Sequence, residues 1–109
     1  MDDKRAEVQV REAFADSLDI VRRGTPQQLA MTVSPDFQMK TDTGILMRDA
    51  ALVRLPADRQ IVKFDKVSPD SVVVTSDDSN RRYVEVWVRT AEGWKLARIN
   101  ALPTYAIHS

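Results

Sequence analysis

Cysteine is absent from the 109 residues, and histidine occurs once. The first absence excludes disulfides, thiol nucleophiles and thiolate-bound zinc, and the second excludes His-rich metal centres. Glycine is nearly as scarce: 3 residues leave little material for a loop that cradles phosphate. Net charge is missing too, with 16 Lys+Arg against 16 Asp+Glu. Nucleic-acid binders need a basic excess to meet phosphates, so no nucleic-acid partner is expected. No apolar run approaches the ~20 residues that span a bilayer, so no membrane partner is expected. The start, Met1-Asp2-Asp3-Lys4-Arg5, has no apolar signal core, and the expected location is cytoplasmic. No metal or cofactor is expected.

What remains is an ordinary globular composition, 43% hydrophobic and 29% charged. One domain over 1–109 is expected, with no repeat or composition shift to divide it. The first third reads as helical. Val10, Phe14, Leu18 and Val21 recur at helical spacing, with Arg11, Glu12, Asp16 and Asp19 on the wet side. Asp2 and Asp3 suit the positive end of this helix, and Arg22 and Arg23 its negative end. Gly24 is expected to end it in a left-handed conformation. Thr25-Pro26-Gln27-Gln28 is a capping box with Pro at the first helical position. The short helix it opens is expected to carry Leu29, Ala30 and Val33 and to stop at Ser34-Pro35-Asp36.

The period then changes. Phe37 to Lys40 alternates, Asp42-Thr43-Gly44 turns, and Ile45-Leu46-Met47 resumes. Asp49 to Leu55 reads as a third helix capped by Asp49 and closed by Pro56. Strands follow at Gln60 to Val67, Val72 to Thr75, Arg82 to Thr90 and Trp94 to Leu102. The expectation is an α+β layer, with helices gathered on one face of a curved antiparallel sheet.

The final hairpin carries the functional reading. In Tyr83-Val84-Glu85-Val86-Trp87-Val88-Arg89 the even positions are all Val and the odd ones large and mixed. Side chains alternate across a strand, so one face is aliphatic and the other carries Tyr, Glu, Trp and Arg. A four-residue loop, Thr90 to Gly93, sets Arg89 opposite Trp94, Trp87 opposite Leu96 and Glu85 opposite Arg98. Aromatic bulk beside a carboxylate, a guanidinium and the Asn100 amide is the composition of a pocket wall. The plainer alternative is core aromatics with a cross-strand ion pair. Phe14 and Met39 complete the expected pocket of Tyr83, Trp87, Trp94, Arg98 and Asn100. Met31, Met39 and Met47 are expected to flank its mouth. The stripe Val84, Val86 and Val88, on the side away from the helices, is expected to bury itself in a homodimer.

Two N-terminal helices, Ser34-Pro35-Asp36-Phe37, the turn at Gly44 and the ending Glu85-Val86-Trp87-Val88-Arg89…Gly93-Trp94-Lys95-Leu96 resemble the nuclear transport factor 2-like superfamily. The nearer likeness is to its SnoaL-like and ketosteroid-isomerase-like small members. The resemblance covers nearly the whole chain, with a shorter segment around the third helix. It implies a cone-shaped curved antiparallel sheet with N-terminal helices on its concave face, the cystatin-like roll, and commonly a homodimer. It also implies a role for Glu85, which lies where relatives often have an inward-facing acid; Asn100 lies where many have His. Thr41, between Lys40 and Asp42, stands where the isomerases have their base Asp, and their Tyr partner has no clear match. His108, next to last, is expected to play no part.

Two functions are therefore carried forward. One is a dimeric domain that binds a small hydrophobic molecule in an apolar cone without assigned chemistry. The other is a small isomerase, cyclase or dehydratase of a hydrophobic carbonyl compound. In it Glu85 is acid or base and Arg98 and Asn100 polarise the substrate oxygen.

Overall fold

The computed structural model describes residues 2–102, Asp2 and Asp3 by their backbone only. The side chains of Asp2 and Asp3, and His108, lie outside the described residues. Helix α1 (Asp2–Arg23) buries Ala6, Val10, Phe14 and Leu18, four residues apart, and leaves Glu12, Asp16 and Asp19 in water. Arg23 meets Asp19 at 2.7 Å, one turn back. Gly24 does end the helix, for a reason other than the one expected. Its φ is not positive. A Cβ there would come within 2.7 Å of the Ile20 side chain and 2.9 Å of Gln28 Oε1, so the position demands space rather than handedness.

Helix α2 (Pro26–Ala30) opens with the expected capping box. The Gln28 N–H donates to Thr25 Oγ1 at 3.1 Å, and the Thr25 N–H donates to Gln28 Oε1 at 2.9 Å. It closes sooner than expected, because the Met31 and Thr32 N–H groups bond back to Gln28 and Leu29. Val33 is then the first residue of strand β1 (Val33–Thr41), paired with Leu96. Gly44, at φ 146, turns β1 into β2 (Gly44–Met47).

Helix α3 (Arg48–Leu52) is shorter than the Asp49 to Leu55 segment expected, and Asp49 does not cap it. Met47 holds the cap position without a side-chain bond. Arg48 anchors its start, donating to the carbonyls of Ala30 at 2.8 Å and Ser34 at 3.3 Å.

Strands β3 (Gln60–Val67), β4 (Ser71–Asp77), β5 (Arg82–Thr90) and β6 (Gly93–Ala101) complete a six-stranded sheet. Its order is β2-β1-β6-β5-β4-β3, antiparallel except for the parallel β1–β6 pair. Two irregularities in the β3–β4 register bring Ile61, Phe64 and Val67 to one face at every third residue. That accounts for the imperfect alternation of β3, and such bulges bend a sheet. The sheet curves without closing, and α1 lies on its concave face. There Val10, Phe37, Val72, Val74, Trp87, Leu96 and Ile99 lose essentially all contact with water. No helix among the described residues is long and apolar enough to cross a membrane.

Candidate functional site

One extra residue decides which side chains meet. The β5–β6 hairpin begins as expected, with Arg89 opposite Trp94 and Trp87 opposite Leu96. Between Val86 and Trp87 the register shifts, and Ala97 is left without a partner. Glu85 then faces Ile99, while Arg98 faces Val86 and Asn100 faces Val84. A slip of one residue reverses every later side chain, so Arg98 and Asn100 lie on the convex face, away from Trp87. The expected Glu85–Arg98 pair does not occur, and Arg98 and Asn100 line a cavity with Gln38, Lys40 and Ile45 rather than one shared with Trp87.

Glu85 has a different partner, one the sequence did not reveal. Arg59, just before β3, is as buried as Glu85 itself, with 1% and 0% of the side chains exposed. Its Nε donates to Glu85 Oε2 at 2.9 Å, its Nη2 donates to Oε1 at 3.3 Å, and its Nη1 donates to the Pro56 carbonyl at 2.7 Å. The Ser76 hydroxyl also donates to Oε2, and the Trp87 indole N–H donates to Oε1 at 3.0 Å. The Arg59 guanidinium lies 5.1 Å from the Phe14 ring centre, a cation over an aromatic face. Four donors on two oxygens satisfy this carboxylate, which is what a fully buried charge requires.

The aromatics expected in the pocket pack around this pair. Phe14 and Trp87 sit 6.3 Å apart, and Met39 and Tyr83 are buried beside them. Trp94 is partly buried and donates its indole N–H to Gln9 Oε1 of α1 at 2.9 Å. These side chains pack the concave interior among the described residues. Met39 belongs to it, whereas Met31 and Met47 are exposed and do not flank an opening.

The mouth of the sheet is open. A cleft of about 360 Å³ is lined by Met39, Thr41, Asp42, Thr43, Arg54, Arg81, Tyr83 and Ala101. Asp42 is a turn residue, as its place one position out of register with Thr41 suggests, and it meets Arg81 at 3.4 Å. The Tyr83 hydroxyl donates to Asp78 Oδ2 at 2.7 Å. Other cavities among the described residues lie elsewhere: one of about 390 Å³ between α1, α2 and α3 over Ile20, Leu29 and Leu52, one of about 310 Å³ beside Arg5 and Arg89, and one of about 260 Å³ lined by Gln38, Lys40, Ile45, Arg98 and Asn100. No cluster of His and acidic side chains suited to a metal occurs among the described residues.

Near the mouth, three groups titrate away from their ordinary values. Arg82 grips Asp77 with two bonds of 2.7 and 3.0 Å and holds its carboxyl below the usual range. Burial pushes Asp78 up, but the Tyr83 hydroxyl and the Asn80 and Arg81 N–H groups outweigh it, and the net direction is down. Burial, then the bond to Asp78, raises the Tyr83 phenol above its ordinary value. The carboxylates therefore stabilise the fold above their unfolded pKa of about 4, and this contribution is lost as pH falls. The neutral Tyr83 stabilises it below the unfolded phenol pKa of about 10, and this contribution is lost as pH rises. Urea midpoints measured from pH 2 to 11 should form a plateau that falls away at both ends. Asp78→Asn should weaken both slopes.

No family model matches this chain, and no curated protein matches it. Solved structures do. An NTF-2 like protein of unknown function from Silicibacter pomeroyi superposes with a TM-score of 0.67 at 10% identity, covering 91% of this chain and 96% of that one. A protein described as a domain of unknown function with a cystatin-like fold, from Nostoc punctiforme, gives 0.64 at 13% identity over 95% and 82%. The fold is that of the nuclear transport factor 2-like proteins. The same architecture appears in a hexachlorocyclohexane dehydrochlorinase, LinA-type3, from Novosphingobium barchaimii, with a TM-score of 0.64, 18% identity and coverage of 93% and 88%. At such identities the likeness is one of fold, and a nuclear transport factor 2-like fold does not by itself name a reaction.

Proposed function

We propose that this chain is a self-associating, small-molecule-binding domain in which Glu85 is a structural anchor rather than an acid or base. The observation that carries the reading is the saturation of Glu85. Its oxygens already accept four bonds, from Arg59, Ser76 and Trp87, and none of its surface reaches solvent. A general acid or base must come within hydrogen-bond reach of the proton it moves, and this one has no free approach. The isomerase, cyclase or dehydratase reading also loses its polarising partners, since Arg98 and Asn100 lie on the other face. Ligand binding is assigned instead to the cleft at the mouth, where Met39, Tyr83 and Ala101 add an apolar part to a mainly polar lining.

Self-association is assigned to the convex face. Val73, Val84, Val86 and Val88 form one aliphatic patch there across β4 and β5, each only partly buried. Asn100 Oδ1, at the flank of the patch, is buried with no hydrogen-bond partner among the described residues. A patch of four partly exposed valines in register is the kind of aliphatic surface that a second copy covers. Native mass spectrometry of the purified protein tests both assignments. A dimer mass, with a small organic molecule released on denaturation, supports them. A bare monomer at micromolar concentration refutes the self-association.

A further inference from the structure

The mouth cleft is asymmetric in charge. Its acids are engaged: Asp42 meets Arg81 at 3.4 Å, and Asp78, behind Tyr83, receives the Tyr83 hydroxyl and the Asn80 and Arg81 N–H groups. Its guanidinia are less so. Arg81 spends one long bond of its five donors on Asp42. Arg54, just past the end of α3, makes no ion pair with any described residue, although it lines the same cleft. The two arginines come from separate segments, one following α3 and the other in the turn before β5, and both line the cleft. Below them the floor is the buried Met39 side chain and the Tyr83 ring, with the Ala101 methyl group beside them. At the rim the Thr41 hydroxyl donates to the Gly44 carbonyl at 3.1 Å and lies 3.1 Å from the Thr43 hydroxyl, so the two arginines are the charged donors that face the cleft.

We infer that the mouth selects a small organic anion, a carboxylate on a short apolar body, with its head between Arg54 and Arg81 and its body on Met39 and Tyr83. A planar guanidinium fork matches a carboxylate with two parallel bonds, and an apolar floor rewards the desolvated tail. An uncharged ligand of the same length would leave both forks unused. This deepens the small-molecule reading and rests on it.

Hexanoate and hexan-1-ol, titrated separately into the uniformly labelled protein and followed by amide NMR, test it. Hexanoate should shift the amides of Thr41 to Gly44 and of Arg81 to Tyr83. Hexan-1-ol should bind there about tenfold more weakly, the factor that corresponds to one charge-assisted bond. Arg54→Gln, at an exposed position, should remove that advantage and leave the alcohol's affinity unchanged. Equal binding of acid and alcohol, insensitive to Arg54→Gln, overturns anion selection and leaves the small-molecule reading standing. Absence of shifts with either probe overturns both. Hexanoate shifts confined to the Arg5 and Arg89 surface overturn the assignment to the mouth.

Discussion

Glu85→Gln should lower the unfolding free energy by about 3–5 kcal/mol, the range for breaking a buried ion pair from one side. The amide is nearly isosteric, so the loss is electrostatic. Arg59 keeps its charge inside the core, and one of the two acceptor oxygens becomes a donor facing donors. Against a total stability of about 5–15 kcal/mol this is severe. Arg59→Met should cost as much by the converse route, leaving a buried carboxylate with only Ser76 and Trp87. The double variant Glu85→Leu with Arg59→Met should recover much of the loss, since removing both charges together avoids the uncompensated one. It will not recover all, because the Ser76 hydroxyl and the Trp87 indole N–H lose their acceptor. Guanidinium unfolding followed by tryptophan fluorescence measures all three. Wild-type stability in Glu85→Gln would contradict the anchor role and reopen the acid-base reading.

The sequence carried the fold through local chemistry. The capping box at Thr25, the four-residue spacing of α1 and the glycine turns at 44 and 93 act over a few residues, and each appears where it was expected. The boundaries that moved were set by distant groups. Val33 left α2 because Leu96, far along the chain, offered it a strand partner, and α3 began early because Arg48 found carbonyls in Ala30 and Ser34. The site was legible only in part. Tyr83, Glu85 and Trp87 share a face by simple alternation, and they do lie together. Glu85 in a valine and tryptophan strand signals that some cation must be buried with it. The choice of Arg98 failed because a one-residue bulge leaves no mark in the local composition. Arg59 was missed because it sits in a short polar link, Pro56-Ala57-Asp58-Arg59, that reads as a surface turn.

The same bulge gives Val86 its expected effect. By turning Arg98 and Asn100 outward, it places a guanidinium and an unpartnered amide oxygen beside the valine patch. Val86 lies in the middle of that patch, paired with Val73 on one side and Arg98 on the other. In an isologous dimer each substitution is made twice across the axis. Val86→Asp would therefore bury two carboxylates within a single interface. Arg98, opposite, partners each carboxylate in part, so the lower end of the roughly 2–5 kcal/mol cost of a buried charge applies to each of the two, and tenfold in affinity corresponds to about 1.4 kcal/mol. The dissociation constant should accordingly rise by roughly a thousandfold. Light scattering at micromolar concentration should report a dimer for the wild type and a monomer for Val86→Asp, with the helical circular dichroism of the two alike. Val86 is only partly buried within one chain, so the fold itself has little to lose from the change. A dimer that survives Val86→Asp would place the interface elsewhere, and the groove between α1, α2 and α3 is the apolar surface that would then be tested next.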